Sequence, residues 1–165
     1  MTSFTAGLTG VEQRYVPING GLGLEQLAWL EAELTEADRL GQRCLLLSHV
    51  VLHPDASDGS TLLWDYEACL RVIRKHGCVA AALAGHQHEG GYAHEDGIHF
   101  VTFKSPLNLG DDGSCFAALE IHDEFLLVTS PAIGDVLVDE AVKHGIYTAR
   151  LPLRPLKCHS SSSST

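Results

Sequence analysis

The sequence of 165 residues predicts a layered α/β domain with a mixed β-sheet. Two observations predict this class. Helical repeats alternate with short, continuously apolar segments, which is the pattern of buried parallel strands. Segments of strand character separated by turns follow, and these are typical of antiparallel strands. Apolar residues make up 45% of the chain, which favours a folded core over disorder.

The predicted helices and buried strands come first in the chain. Apolar side chains on one face and a following glycine predict a helix over 24–40. The segment "CLLLSHV" at 44–50 predicts a buried strand, and a second helix is expected from about 62 to 76. The segment "CVAAALAGH" at 78–86 predicts the next buried strand. This order indicates a sheet with at least two parallel strands.

The rest of the chain predicts antiparallel strands and a tail. Strand patterns at 97–103, 114–122 and 125–129 are separated by turns and indicate an antiparallel series. The serine-rich segment 158–165 is expected to be disordered. The folded domain is therefore expected to cover 1–157.

Charge and composition exclude several classes of partner. The formal net charge of −10 argues against nucleic acid or an anionic membrane as the main partner. The N-terminal segment "MTSFTAGLTGVEQRY" has no apolar signal region, and no segment is long enough to span a membrane. The 5 cysteines form no CxxC pair, which favours reduced thiols in an intracellular, cytoplasmic protein.

Histidines follow both buried strands at the point where each strand ends. His49 follows the first strand, and His86 and His88 follow the second. Ligands bind at the carboxyl ends of parallel strands in open α/β sheets, so these side chains are expected at one site. In an extended segment His86 and His88 would point the same way, and Gly85 would allow a close turn. Neutral imidazole binds zinc, manganese and iron, but spacing alone leaves exposed loop histidines as an equal alternative.

These motifs resemble a known family. The segments "LLLSHVVLHP" and "AGHQH" are similar to the last two metal motifs of the calcineurin-like metallophosphoesterases. The longer segments "NGGLGLEQLAWLEAEL", "LLWDYEACLRVI" and "AGHQHEGGYAHEDGIHFVTF" resemble the manganese-dependent ADP-ribose/CDP-alcohol diphosphatases. The resemblance runs from about Asn19 to Phe103 and continues weakly beyond. It corresponds to the C-terminal half of that family's domain.

The resemblance implies a fold, cofactors and a reaction. The fold would be half of an α/β/β/α metallophosphoesterase sandwich. His49 and His86 would bind one divalent ion and His88 a second, with manganese expected and zinc, iron or magnesium as alternatives. The substrate would be a nucleoside diphosphate such as ADP-ribose or a CDP-alcohol, hydrolysed at the pyrophosphate.

The family's other metal motifs do not occur in the sequence. DxH, GDxxD and GNH[DE] are absent, and they would supply the carboxylate ligands and the catalytic histidine. Two divalent ions need anionic ligands, so the chain alone is expected to have little or no activity. A separate N-terminal half could complete the site, or an open sheet edge could cause self-association. The alternatives are a remnant that binds at most one metal or acts by protein contacts, and a phosphoesterase for another phosphate ester.

Other residues near the histidines allow functional and structural interpretations. Gly90, Gly91 and Tyr92 are predicted to form a loop at the pocket mouth, with Tyr92 stacking on a nucleobase or ribose. A glycine turn with a packing aromatic is the alternative, and it is favoured. The segment 19–21 could be a pocket loop, but a turn that enters a helix is favoured.

Two further histidines and the nearby acids are interpreted as bystanders. His53 is expected at the surface or beside a ligand, and His99 is expected on the surface of the sheet. The acidic residues near the motifs are expected to be solvated rather than to replace the missing carboxylates; they are Asp55, Asp58, Glu89, Glu95 and Asp96.

Overall fold

The computed structural model describes residues 6–108, 116–130, 140–142 and 146–156, and the predicted tail at 158–165 lies outside them. Within these ranges the helices form one layer that packs on one face of a mixed sheet. An antiparallel sheet packs on the other face. The predicted α/β class with a mixed sheet is thus confirmed. The helices in these ranges include none that is both long and apolar enough to cross a membrane.

Helix α1 spans Gly23–Leu40, in agreement with the apolar repeat. Its start is anchored by Asp65, which accepts hydrogen bonds from the N–H groups of Leu22 at 3.0 Å and Gly23 at 2.8 Å. These bonds satisfy amides that a helix leaves without intrahelical partners. The helix ends at Gly41, whose φ of 66° is the left-handed conformation common at helix ends.

Helix α2 spans Tyr66–Lys75 and begins later than the predicted start near residue 62. Leu62 instead forms an isolated parallel bridge with Val51. The N–H group of Leu63 also donates to the carbonyl of Val51 at 2.9 Å. These long-range bonds hold the segment outside the helix, which explains the difference.

The first sheet is mixed and has the strand order β1-β2-β4-β3. Its strands are β1 (Cys44–Leu47), β2 (Val79–Ala84), β3 (Gly91–Glu95) and β4 (Ile98–Thr102). Strands β1, β2 and β4 are parallel, and β3 pairs with β4 in the antiparallel direction. The carboxyl ends of β1 and β2 therefore lie side by side.

The predicted loop at residues 90–92 is wrong at Gly91 and Tyr92, which begin strand β3. A two-residue turn joins β3 to β4, with a φ of 52° at Asp96 and 73° at Gly97. Positive φ at both positions is characteristic of tight hairpin turns, and Asp-Gly is a preferred pair for them. The hairpin holds the segment against β4.

The second sheet is antiparallel and has the order β5-β6-β8-β7. Its strands are β5 (Ala118–Ile121), β6 (Phe125–Ser130), β7 (Glu140–Val142) and β8 (Ile146–Pro152). The predicted antiparallel pairing of the segments that contain β5 and β6 is confirmed. The predicted strand at 97–103 belongs instead to the first sheet as β4, parallel to β2.

The core has two parts, one on each face of the mixed sheet. The helices cover one face, where Leu30, Leu34, Leu70 and Ile73 of the helices pack with residues of the sheet such as Val79 and Phe100. The second sheet covers the other face, and this inter-sheet cluster comprises Ala81, Leu83, Val101, Leu126, Val128, Ala149 and Leu151. Burial on both faces fixes β2 and β4, so the loops that follow them start from a rigid support.

Strand β1 lies at an edge of the mixed sheet. Strand β2 pairs with one side of β1, and no strand in the described ranges pairs with its other side. An apolar groove of about 200 Å³ lies between α1 and β1 and is lined by residues that include Trp29, Leu45 and Leu47. Leu47 and Trp29 are 79% and 53% exposed.

Candidate metal centre

The ends of β1 and β2 bring His49 and His86 into contact. Each histidine lies two residues beyond the last residue of its strand. Nε2 of His49 is 3.1 Å from Nδ1 of His86, and the ring centroids are 4.9 Å apart in an edge-to-face arrangement. The Gly85 N–H donates to the His49 carbonyl at 3.1 Å, which joins the two strand ends through the backbone.

The backbone at His86 has an unusual conformation. Its φ is 67°, in the left-handed region that residues other than glycine seldom adopt. The Gln87 N–H donates to the carbonyl of Gly85 at 2.7 Å, which closes a γ-turn around His86. A γ-turn with positive φ is rare and strained. The expected extended geometry through His86 and His88 is therefore wrong, because the chain turns sharply between them.

His86 and His88 nevertheless line the same open cleft, which has a volume of about 400 Å³. The other lining residues are Ile18, Asp58, Thr61, Gln87 and Glu89. His88 is exposed, whereas Gln87 between the two histidines is buried and accepts a hydrogen bond from Thr61 Oγ1 at 2.9 Å. The turn thus directs two imidazoles towards one cleft and the intervening amide into the interior.

Gly85 does not make the contact possible by its lack of a side chain. A Cβ atom built at this position would lie 3.7 Å from Nδ1 of His49, an ordinary van der Waals distance. The structure therefore gives no steric reason for a glycine at this position, and the sharp turn of the backbone lies at His86.

Asn19 contacts His86 from the side opposite His49. Its Oδ1 lies 2.7 Å from Nε2 of His86, and its side chain is buried. The favoured interpretation of 19–21 as only a helix-entry turn missed this contact, because Asn19 and His86 are far apart in sequence. The glycine pair at 20–21 is the local indication that the segment after Asn19 is a loop.

Electrostatics favours the neutral form of His86. Partial burial lowers its pKa, and the neighbouring His49 and His88 lower it further, while Asp58 acts in the opposite direction. A neutral imidazole keeps one nitrogen lone pair, which is what a metal ligand requires.

The described residues do not by themselves form a closed metal site. In these ranges no group of three or more His, Cys, Asp and Glu side chains is arranged to hold a metal ion. His49 and His86 fit as neighbouring ligands of one ion. They leave the remaining coordination positions to be filled by other groups.

The glycines and tyrosine after the histidines have structural contacts. A Cβ at Gly91 would lie 2.3 Å from the carbonyl oxygen of Ala56, so the backbones approach too closely for a side chain. Gly90 has a φ of 76°. Tyr92 packs against the inter-sheet cluster, and its hydroxyl is 2.9 Å from Nδ1 of His99. A substrate contact of Gly90, Gly91 or Tyr92 stays a prediction.

The expectations for His99 and His53 at the surface are wrong. His99 is 0% exposed, because it lies on β4 where the second sheet covers it. His53 is also buried, with its ring 4.6 Å from that of Phe100. Nδ1 of His53 accepts from the Asp55 N–H at 3.2 Å, so the histidine shapes its own loop.

Glu95 was expected to be solvated and is instead paired. Its carboxylate accepts hydrogen bonds from Arg74, which lowers its pKa. Nε2 of His53 lies 3.5 Å from the same carboxylate. Glu95 therefore belongs to an ion pair and is not among the residues that line the histidine cleft.

Comparison with known proteins supports the resemblance in the sequence. No protein-family model matches the chain. The chain is 37% identical over 131 residues to the manganese-dependent ADP-ribose/CDP-alcohol diphosphatase of Oryza sativa, covering 78% of this chain and 41% of that protein. The human protein of the same name is 34% identical over 118 residues, covering 71% of this chain and 34% of the relative.

A solved structure gives the same result for the fold. A crystal structure of a dimetal phosphatase from Danio rerio matches with a TM-score of 0.76 and 30% identity. The match covers 88% of this chain and 43% of that one, so the chain spans well under half of its relatives' length. The chain is therefore a homologue of the manganese-dependent ADP-ribose/CDP-alcohol diphosphatases over the part of their length that it covers.

Proposed function

We propose that the chain supplies the histidine ligands of a dinuclear metal centre that hydrolyses the pyrophosphate of ADP-ribose or CDP-alcohols. The contact of 3.1 Å between Nε2 of His49 and Nδ1 of His86 supports this most directly. Two nitrogen ligands of one ion, each about 2.1 Å away, are roughly 3 to 3.5 Å apart in tetrahedral or octahedral geometry.

In this proposal His49 and His86 bind one manganese ion and His88 binds the second. The names of the relatives support manganese as the metal and a nucleoside diphosphate as the substrate. When bound, such ions stabilise negative charge on phosphate oxygens and lower the pKa of a coordinated water. The chain's own contribution is to hold neutral imidazoles at a fixed strand edge.

The described residues also support a requirement for additional carboxylates. Neutral histidines offer no negative charge to offset two closely spaced divalent ions. Asp58 lines the cleft, but its Oδ1 accepts from the N–H and the hydroxyl of Ser60, both at 2.8 Å, and so stabilises its own loop. We therefore propose that the isolated chain has little or no diphosphatase activity.

The open edge of β1 supports a partner that supplies these carboxylates. A strand added in parallel to the free side of β1 would lie about 4.8 Å away, and its carboxyl end would reach the sheet edge that carries His49. The exposed Leu47 and Trp29 offer this partner an apolar surface. We propose a separate polypeptide with the remaining part of the fold as this partner, and self-association of the chain as the alternative.

The activity of the isolated chain can be tested directly. Purified chain with manganese and either ADP-ribose or CDP-choline should release no nucleoside monophosphate above the protein-free rate. Native mass spectrometry should detect zero or one bound ion. Manganese-dependent hydrolysis that His86→Ala abolishes, together with two bound ions, would show instead that the chain is a complete enzyme.

A complementation experiment tests the role of the chain in a full site. The part of the Danio rerio dimetal phosphatase that the chain does not match would be produced as a separate polypeptide and mixed with it. We expect a one-to-one complex with manganese-dependent hydrolysis that His86→Ala abolishes. Leu47→Lys should prevent the complex, whereas Leu107→Lys, at another exposed leucine, should not. A complex without hydrolysis would contradict the proposed function, and binding of only one ion would favour a remnant.

A further inference from the structure

Asn19 has a side-chain orientation that its contacts determine. Its Nδ2 donates to the carbonyl of Arg14 at 2.8 Å and to the carbonyl of Ser60 at 2.7 Å. Both partners can only accept, so the amide nitrogen must face them. The oxygen Oδ1 is therefore the atom that faces His86, at 2.7 Å from Nε2.

This orientation fixes the tautomer of His86. Oδ1 of Asn19 can only accept, so Nε2 of His86 must carry the hydrogen. In the neutral ring Nδ1 then holds the lone pair. Nδ1 is the atom 3.1 Å from Nε2 of His49, on the side where the two imidazoles meet.

The loop that carries Asn19 is itself held in place. The Asn19 N–H donates to the carbonyl of Val16 at 3.1 Å. Arg14, which is buried, donates from Nε to the carbonyl of Trp64 at 3.0 Å. Asn19 thus joins the N-terminal segment and the loop at Ser60 to the strained turn at His86. A residue with positive φ outside glycine costs roughly 1–3 kcal/mol and persists only where its surroundings hold it.

We propose that Asn19 is a positioning residue that holds His86 in the Nε2–H tautomer and presents Nδ1 beside His49. The tautomer follows from the contacts of the metal-free chain, while its use in binding an ion depends on the proposed function. Partners that hold the second nitrogen of a metal-binding histidine raise metal affinity by about 10- to 100-fold. Asn19 is expected to raise the affinity of the site for a metal ion by a factor in this range.

Nitrogen-15 NMR of the metal-free chain tests the tautomer, with the His86 resonances assigned by their loss in His86→Ala. The wild type should show a protonated Nε2 and an unprotonated Nδ1. Asn19→Ala should give mixed tautomers. Asn19→Asp keeps an acceptor for His86 but removes the donor to Arg14 and Ser60, so it should retain the tautomer although it weakens the loop.

This pair of variants separates positioning from a purely structural role. A structural role predicts the same spectrum change in both variants. The control is Gln13→Ala, which removes a side-chain amide that donates to the Leu8 carbonyl at 3.2 Å in the same N-terminal segment. A wild-type tautomer in Asn19→Ala, or mixed tautomers in both Asn19 variants, would overturn the inference. Gln13→Ala should keep the wild-type tautomer.

Calorimetric titration with manganese alone gives the second measurement. Asn19→Ala should bind about 10- to 100-fold more weakly than the wild type, and Gln13→Ala should bind as the wild type does. Equal affinity of Asn19→Ala and wild type would overturn the inference. A wild type that binds no manganese but shows the expected tautomer change would leave the positioning of His86 by Asn19 supported and would overturn the part of the inference that concerns ion binding by the isolated chain. The proposed function is tested separately by the complementation experiment.

Discussion

Replacement of His99 by leucine should lower the free energy of unfolding by about 1–3 kcal/mol. His99 is 0% exposed, and its Nε2 lies 2.7 Å from the carbonyl of Pro152. A carbonyl only accepts, so Nε2 carries the hydrogen and Nδ1 accepts from the hydroxyl of Tyr92 at 2.9 Å. Leucine has a similar size and removes both bonds, so the cost arises mainly from hydrogen bonding.

The magnitude follows from these two bonds. The bond from His99 to the Pro152 carbonyl is part-buried and Pro152 itself is exposed, so its loss costs about 0.5–1.5 kcal/mol. The bond from Tyr92 contributes about 0.5–1.5 kcal/mol. The control is His94→Ala, because the His94 ring is exposed and stacks on His99 with centroids 4.3 Å apart. That change should cost about 1 kcal/mol or less.

The same substitution should change the dependence of stability on pH. Burial lowers the pKa of His99 below the ordinary value of 6.5. The unfolded chain therefore binds a proton at a higher pH than the folded chain does. Wild-type stability should fall as the pH drops through 6.5 towards the folded pKa, and His99→Leu should lose less over that interval. His86, whose pKa is also lowered, contributes with the same sign in both proteins.

Urea unfolding followed by circular dichroism between pH 5 and pH 8 measures both effects. A loss below about 0.5 kcal/mol for His99→Leu at pH 7.5 would refute the account of a buried, doubly bonded histidine. An unchanged pH dependence in the variant would refute the assignment of the lowered pKa to His99.

Three further predictions follow from single contacts. Gly91→Ala should lower the free energy of unfolding by at least about 2 kcal/mol, because its Cβ would lie 2.3 Å from the Ala56 carbonyl oxygen. Gly20→Ala, with nothing within 4 Å, should cost under about 0.5 kcal/mol, and equal effects in thermal unfolding would contradict this steric account. Asp65→Ala should cost about 1 kcal/mol in urea unfolding through loss of its bonds at the start of α1; an unchanged midpoint would argue against that anchor. His88→Ala should leave the affinity for a first metal ion within about twofold of the wild-type value by calorimetry. His88 is exposed and lies outside the pair formed by His49 and His86. A loss of affinity beyond tenfold would show that His88 binds the same ion.

Local patterns were sufficient for helix α1 and for the buried strands β1 and β2. The apolar repeat and Gly41 predicted α1 almost to the residue, because the helix face and its end are both encoded nearby. The start of α2 could not be predicted in the same way. It depends on the bridge between Leu62 and Val51, which pairs residues that have no local pattern in common.

Strand β3 is indicated by a hairpin motif at its end, although it begins with a glycine. The Asp96-Gly97 pair between two strand-like segments is a hairpin motif. Gly90 and Gly91 favour a loop and so conceal the start of the hairpin. Gly91 is nevertheless needed in β3, because the strand passes close to the Ala56 backbone there. The buried state of His99 was missed for a related reason, since the sheet that covers it comes later in the chain.

The sequence predicts that histidines at the ends of two strands lie together. It does not predict the contacts that hold these histidines in place. The adjacency of His49 and His86 follows from parallel pairing, which short apolar segments indicate. The contact with Asn19 does not, because it joins an N-terminal loop to a turn after β2. The γ-turn at His86 could not be predicted either, since no residue pattern there favours a positive φ.

Strand β1 connects the open edge of the sheet with the proposed metal site. It carries His49 just beyond its carboxyl end, and its other side pairs with no strand in the described part of the chain. A strand that adds there in parallel would direct its carboxyl end towards the sheet edge that carries His49, and the Asn19–His86 contact already occupies the opposite side of the His86 ring. The remaining ligands are therefore expected from the free side of β1. A complex that forms while Leu47→Lys has no effect would place the partner elsewhere and contradict this expectation.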